Sequence, residues 1–206
     1  MSNIQDELIA LNKRLREQFM SKWKRSIPFY EQMLGEDARW DRARSLHFGD
    51  GTSTYESSYV YGDVKVGRGT WIGPFTILDG TGGLTIGDYC SISSGVQIYT
   101  HETVEWALSG GKAKYSYAPV RIGSSCFIGS LTVIRMGVEI GDHVLVGAHS
   151  FVNNSIPNNS IAAGSPARVV GKVEVQGENV LFKYTTKGKR NVPGSRKSRK
   201  RRRPSR

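Results

Sequence analysis

His101, in the stretch IYTHETVEW (Ile98 to Trp106), stands where a strict spacing of aliphatic residues breaks off for about twenty positions. An imidazole with its unperturbed pKa of ~6.5 is largely neutral near pH 7 and suited to taking a proton from a reacting group. Behind it, the run HETVEWALSGGKAKYSYAP supplies Glu102, Trp106, Lys112, Tyr115 and Tyr117. Among these, Trp106 has a flat face that suits the C–H face of a sugar ring, although a loop aromatic serves as often as a packing anchor. Asp79, in LDGTGG, falls at a two-residue insertion that faces the same region by strand count; it could bind an acceptor hydroxyl or orient His101, or simply precede Gly in a turn. His143 and His149 lie in later repeats and point outward by position, and His47 has no assigned role.

The chain that must position these groups has 206 residues, enough for one domain with appendages and a sizeable core. Its net charge of +11 is unevenly spread. Residues 183–206 hold twelve Lys or Arg and no acid, which leaves the rest near neutral, at about −1. A polycation such as SRKSRKRRRPSR cannot bury apolar surface, so an unfolded basic tail is expected. It would attract a polyanion by counterion release: an anionic membrane or a phosphorylated glycan, with no specific nucleic acid. A purely solubilising tail is the alternative. No apolar run reaches the ~20 residues of a membrane helix, and MSNIQDELIA lacks the basic and apolar regions of a signal peptide. Two cysteines, Cys90 and Cys126, are too few for a disulfide framework or a Cys-rich zinc site, so a cytoplasmic location is expected.

Residues 1–50 read as a helical segment. Ile4, Leu8, Leu11, Leu15 and Phe19 follow helical steps over residues 3–25; a second helix is expected from Pro28 to Leu34 and an Arg-rich piece from Asp37 to Leu46. Gly49 to Thr54, GDGTST, reads as a linker, and residues 51–175 as the main domain with a loop at 99–119. The basic tail is expected over 176–206.

The main domain announces itself as a repeat. Val66, Ile72 and Leu78 are six apart; after two extra residues Ile86, Ile92 and Ile98 resume; beyond the break come Ile122, Ile128, Ile134, Ile140, Val146 and Val152. Gly or Ser follows most of them, and a small or β-branched residue, including both cysteines, recurs four positions on. One short strand plus one tight turn uses six residues, and three such units close a triangular coil of eighteen. Coils stacked ~4.8 Å apart place like positions above one another. The aliphatic residue fills the interior, the Gly is expected to supply unusual turn dihedrals, and the fifth position must be small. The fold expected is all-β, a parallel β-solenoid.

With TIGDYCSISSGVQIYTH, PVRIGSSCFIG and GVEIGDHVLVGAHSFVNNSIPNNSIAAGSPARVVG, residues Val60 to Val173 resemble the left-handed β-helix of hexapeptide-repeat acyltransferases. The likeness is to the bacterial polysaccharide and sugar O-acetyltransferases. That resemblance implies the left-handedness, a homotrimer, and an acetyl-CoA co-substrate in a groove between neighbouring prisms. It further implies that the break at 99–119 is an extruded loop whose first histidine, His101, is the general base. A saccharide is the implied acceptor, in a direct transfer without an acyl-enzyme. For the CoA groove it nominates Ser130, Ala148, Gly164 and Arg168, with Lys172 beside them for the nucleotide phosphates; the Ser130 amide would serve a developing oxyanion. Two departures stand out: Met136 where the family has Pro, and Cys126 where sugar acetyltransferases often carry Trp. N-acetylation of an amino sugar and a non-enzymatic trimeric scaffold binding a polyanion are the alternatives. A related zinc hydratase site needs two histidines five residues apart, whereas His143 and His149 are six apart, so no metal is expected.

Overall fold

The computed structural model describes residues 3–23 and 37–185. Their dominant feature is a parallel solenoid of short strands on three faces. The first face stacks Ser53–Thr54, Trp71–Ile72, Ser91–Ile92, Phe127–Ile128, Leu145–Val146 and Ile161–Ala162 in register. The second stacks Tyr59–Val60, Ile77–Leu78, Gln97–Ile98, Val133–Ile134 and Phe151–Val152. The third stacks Val66, Ile86, Ile122, Ile140 and Ile156. In each two-residue rung the second side chain turns inward, and Ile72, Leu78, Ile92, Ile98, Ile128, Ile134, Val146 and Val152 have no accessible surface. Each such burial contributes roughly 1.5–3 kcal/mol, so the repeated aliphatic position is the main stabilising term of the fold.

The glycine after each aliphatic residue has a different purpose from the one expected. Gly67, Gly73, Gly87, Gly123, Gly129 and Gly141 do not have positive φ. They are small because the next coil passes close: a Cβ on Gly129 would lie 2.4 Å from the Ala148 amide nitrogen. The left-handed residue comes two positions later, and it is often not glycine: Phe75, Tyr89, Ser125, Leu131, His143 and His149 have φ between 53° and 59°. A non-glycine residue there costs about 1–2 kcal/mol. The gain is a backbone hydrogen bond between coils, since this conformation aims the N–H at the coil below. Tyr89 donates to the Arg68 carbonyl at 2.8 Å, Leu131 to Ser94 at 3.0 Å and His149 to Ser130 at 2.9 Å.

Two further readings are corrected, and the Arg-rich piece expected from Asp37 to Leu46 is a helix packed on the main domain. Gly49–Thr54 is no linker but the first rung: the Gly49 amide donates to the Val66 carbonyl, and Thr52, Ser53 and Thr54 are buried. The second helix of the described chain, α2 (Ala38–Ser45), closes the open end of the prism, with Ala43 and Phe48 in the core. Arg42 clamps it there through the carbonyls of Tyr55 and Ser58. Residues beyond 175 are in part folded: Ala167–Gln176 and Asn179–Tyr184 form an antiparallel hairpin on the last rung. The unfolded tail expected for residues 186–206 lies outside the described residues, as does the helix expected from Pro28 to Leu34. Helix α1 (Ile4–Trp23) matches the periodicity within two residues, yet of its apolar stripe only Phe19 is buried.

Cys90 and Cys126 occupy stacked corners as the repeat requires, both buried, and their thiols donate to the carbonyls of Gly123 at 3.1 Å and Gly141 at 3.0 Å. Contact with the Cys90 thiol, together with burial, pushes the Cys126 thiol up, so it stays protonated and inert.

Candidate active site

The solenoid is interrupted twice, and both interruptions fall on the edge between the second and third faces. In one coil the strand Ile77–Ile86 runs around the corner with two extra residues, lifting Asp79 to Gly83 out of the hexapeptide path. One coil above, the chain leaves the prism after Ile98 and returns at Val120. The departing segment crosses directly over the Asp79 bulge, and Gly82 is required there because a Cβ would meet the Thr100 carbonyl oxygen at 2.4 Å.

This crossing creates a carboxylate–imidazole pair. The His101 Nδ1 lies 2.6 Å from Asp79 Oδ2, with the imidazole 28% exposed and the carboxylate fully buried. Asp79 Oδ1 also accepts the Thr81 amide at 2.9 Å and the Thr81 hydroxyl at 2.6 Å, while Oδ2 accepts the Thr100 amide at 2.9 Å. Burial pushes this carboxyl upward, but the donors from Thr81, Thr100 and His101 outweigh it and hold its pKa below the ordinary carboxylate value. An ionised Asp79 can only accept. Nδ1 therefore carries a proton and donates, which leaves Nε2 as the nitrogen available to accept one.

The loop that carries His101 is braced. His101 and Glu102 pair antiparallel with Tyr117 and Ser116, and the Ala118 amide donates to the Thr100 carbonyl at 3.0 Å, so exit and re-entry are tied together. Glu102 makes a two-pronged ion pair with Arg135 of the next coil, at 2.8 and 3.0 Å. Hydrogen bonding from Arg135 keeps the Glu102 carboxyl below its usual pKa. The Tyr117 ring stacks beside the imidazole with centroids 6.0 Å apart. Between the two short strands sits α3 (Val104–Leu108).

The residues nominated from sequence fall into separate places. Asp79 was offered as an acceptor ligand or an orienting group, and the geometry corrects the former: with four donors on two oxygens and no accessible surface, it faces His101 and has no room for an external hydroxyl. Trp106 is 41% exposed but packs edge-on against Tyr115 at 5.6 Å, so it also anchors the loop. Lys112 is exposed at the loop tip, following Gly110 and Gly111. Ser130, Ala148 and Gly164 stack on the edge between the first and second faces, each two residues after an inward one. They form a strip of small residues, with Arg168 exposed next to Gly164 through the pairing of Ala163 with Arg168. Lys172 does not join them. It pairs with Ser160 at the opposite end of that strand, about 13 Å away at ~3.3 Å per residue.

His101 and the Ser130 strip therefore lie on different edges of one prism, separated by the second face. His101, His143 and His149 lie on three different edges, and among the described residues no group of three His, Cys, Asp or Glu side chains could hold a metal ion. Sequence reasoning missed Thr81, Thr100 and Arg135. The LDGT turn carried a signal for Thr81, since Asp commonly accepts from the amide two residues on.

Comparison with known proteins agrees with this geometry. Residues 119–154 match the family described as bacterial transferase hexapeptide (six repeats). The galactoside O-acetyltransferase of Escherichia coli K12 is 39% identical over 101 residues, 48% of this chain and 49% of that protein. A putative colanic acid biosynthesis acetyltransferase of the same organism is 28% identical over 52% of this chain and 68% of its own length. The chain spans about half the length of the first curated relatives it matches, at 49% and 45%. Among solved structures, a maltose O-acetyltransferase from Clostridium difficile aligns with TM-score 0.53 and 27% identity over 84% of this chain and 90% of its own. A Vibrio cholerae hexapeptide-repeat acetyltransferase bound to acetyl coenzyme A aligns with TM-score 0.62 over 83% and 90%, and at 24% identity it shows the fold. The repeat, its extruded loop and these likenesses converge: the chain is similar in sequence and fold to the hexapeptide-repeat acetyltransferases.

Proposed function

We propose that the protein is an acetyl-CoA-dependent O-acetyltransferase whose acceptor is a saccharide hydroxyl, with His101 as general base and Asp79 as its orienting partner. The observation that carries this reading is the 2.6 Å contact between His101 Nδ1 and Asp79 Oδ2 at the mouth of the extruded loop. Nε2 takes the proton of the attacking hydroxyl, and Asp79 stabilises the imidazolium so formed. His101 then returns the proton to the departing CoA thiolate, so the acceptor gains an acetyl ester and the donor leaves as a free thiol. The Ser130 amide serves the oxyanion that develops on the thioester carbonyl.

Because His101 and the Ser130 strip occupy different edges of one prism, we infer a site shared between neighbouring subunits, the loop of one facing the strip of the next. A homotrimer provides three such sites. Arg168 beside Gly164 then meets the nucleotide end of the donor, and Tyr117 and Trp106 offer aromatic faces to the sugar. Two free, buried thiols fit a reducing, cytoplasmic setting.

Thiol release from acetyl-CoA across a panel of mono- and oligosaccharides tests this reading. His101→Ala is expected to lower turnover roughly 10²–10⁴-fold while CoA binding persists. Unchanged turnover in that variant refutes the base assignment.

A further inference from the structure

The hairpin that ends the solenoid presents an unusual surface. Val175, Val180, Leu181, Phe182 and Tyr184 are each 44–57% exposed. Val173, Val175, Val180 and Phe182 face Phe127 and Leu145 of the first prism face across an apolar groove of about 470 Å³. The strand Asn179–Tyr184 is the last of its sheet, so among the described residues its outer edge has no partner strand. One face of this edge is apolar, through Val173, Val175, Val180 and Phe182, while the other carries Glu174 and Lys183; an open edge with an apolar face is normally paired, covered or charged.

The chain leaves that strand at Thr185, and residues 186–206 contain eleven Lys or Arg and no acid. The apolar hairpin is thus followed directly in the sequence by a run of dense positive charge. We propose that this end of the solenoid docks on an anionic lipid surface, the hairpin side chains entering the boundary between headgroups and acyl chains while the positive charge of residues 186–206 adds attraction to the phosphates. The pairing of features selects the occupant. A hydrated polyanion such as RNA or a phosphoglycan satisfies the cations but gives nothing to Val175, Val180 and Leu181. A second copy covers the groove but brings a like-charged segment to the same place. Only an anionic bilayer offers both an apolar interior and a layer of negative charge. Among the described residues no helix is long and apolar enough to cross a membrane, so the association is peripheral.

Each contribution alone is weak, and stable attachment takes two signals. The test is co-sedimentation of the full chain with phosphatidylcholine vesicles, with and without roughly one-third phosphatidylglycerol. Binding is expected to rise by about tenfold or more with the anionic lipid and to fall as salt is raised. The double variant Val180→Asp, Phe182→Asp leaves residues 186–206 intact and is expected to lose about tenfold in vesicle affinity while retaining thiol release and its far-ultraviolet spectrum. Three results overturn the proposal: vesicle binding unchanged in the double variant, tighter binding to charge-matched RNA than to vesicles, or a change of oligomeric mass on substitution. The last would make the groove a subunit contact. Because thiol release is read separately, failure here leaves the catalytic reading standing, and the reverse holds equally.

Discussion

Asp79→Asn separates orientation of the imidazole from binding of the acceptor. The replacement keeps the shape of the side chain but places an NH₂ group where one carboxylate oxygen stood. If that group faces Oδ2, it opposes the donating amide of Thr100 and forces His101 Nδ1 to accept. If it faces Oδ1, the Thr81 hydroxyl can turn away and only the Thr81 amide loses its acceptor. The second arrangement leaves fewer unsatisfied donors, so the variant is expected to keep the productive tautomer and lose only the charge. A hydrogen bond to a charged group is worth about 1.5–3 kcal/mol, and that is the stabilisation the imidazolium forfeits. At about 1.4 kcal/mol per decade, kcat is expected to fall roughly ten- to two-hundredfold, less than for His101→Ala. The assay is initial-rate thiol release with each substrate varied in turn. The expected result is a loss in kcat with both KM values little changed. A rise in acceptor KM at constant kcat would mean that Asp79 touches the acceptor itself, and a variant within twofold of wild type would remove the dyad from the mechanism.

The same carboxylate makes an acid-limb prediction. Its folded pKa lies below the unfolded value, so its stabilising contribution is complete above about pH 4 and is lost as pH falls through the lower folded pKa. The melting-temperature gap between wild type and Asp79→Asn should be constant from pH 7 to about pH 4 and shrink below that, as thermal melts across the range would show. Arg135→Ala removes an exposed ion pair worth about 0.2–1 kcal/mol, so the melting temperature should barely move while the His101 loop loosens; a several-fold loss of turnover that Arg135→Lys partly restores is expected. Gly129→Ala drives a Cβ into the backbone of the next coil, whereas Gly110→Ala meets no atom within 4 Å and bears only the strain of φ +65°. Melting should drop far more for the former than for the latter, whose cost is about 1–2 kcal/mol.

The rungs were legible in the sequence because the prism interior accepts only aliphatic residues at these inward positions from Val66 to Val152, six apart except at the bulge after Leu78 and the loop after Ile98. The first rung escaped because its inward residue is Thr54, a hydroxyl where every later coil has an aliphatic. The glycines were seen but their purpose was misread: periodicity marks a small residue without telling torsional need from close approach, and only the stacked neighbour decides. The hairpin left a trace that was overlooked, since alternating Val173 and Val175, then Val180 and Phe182, flank the turn sequence QGEN. At the site, spacing brought Asp79 near His101 but could not choose between its two roles. That choice rests on Thr81 and Thr100, whose amides are placed by the bulge and the departing loop. The Glu102–Arg135 pair is 33 residues apart and becomes neighbourly only when coils stack, so no local pattern could reveal it.

The bridge between the Ala118 amide and the Thr100 carbonyl has a consequence for how such a molecule changes over time. Because the excursion departs and rejoins at adjacent points, the coils above and below continue in register as though nothing had been inserted. The seventeen residues between Thr100 and Ala118 form a detachable cassette. Its length and sequence can therefore change without altering the register of the coils on which it is carried.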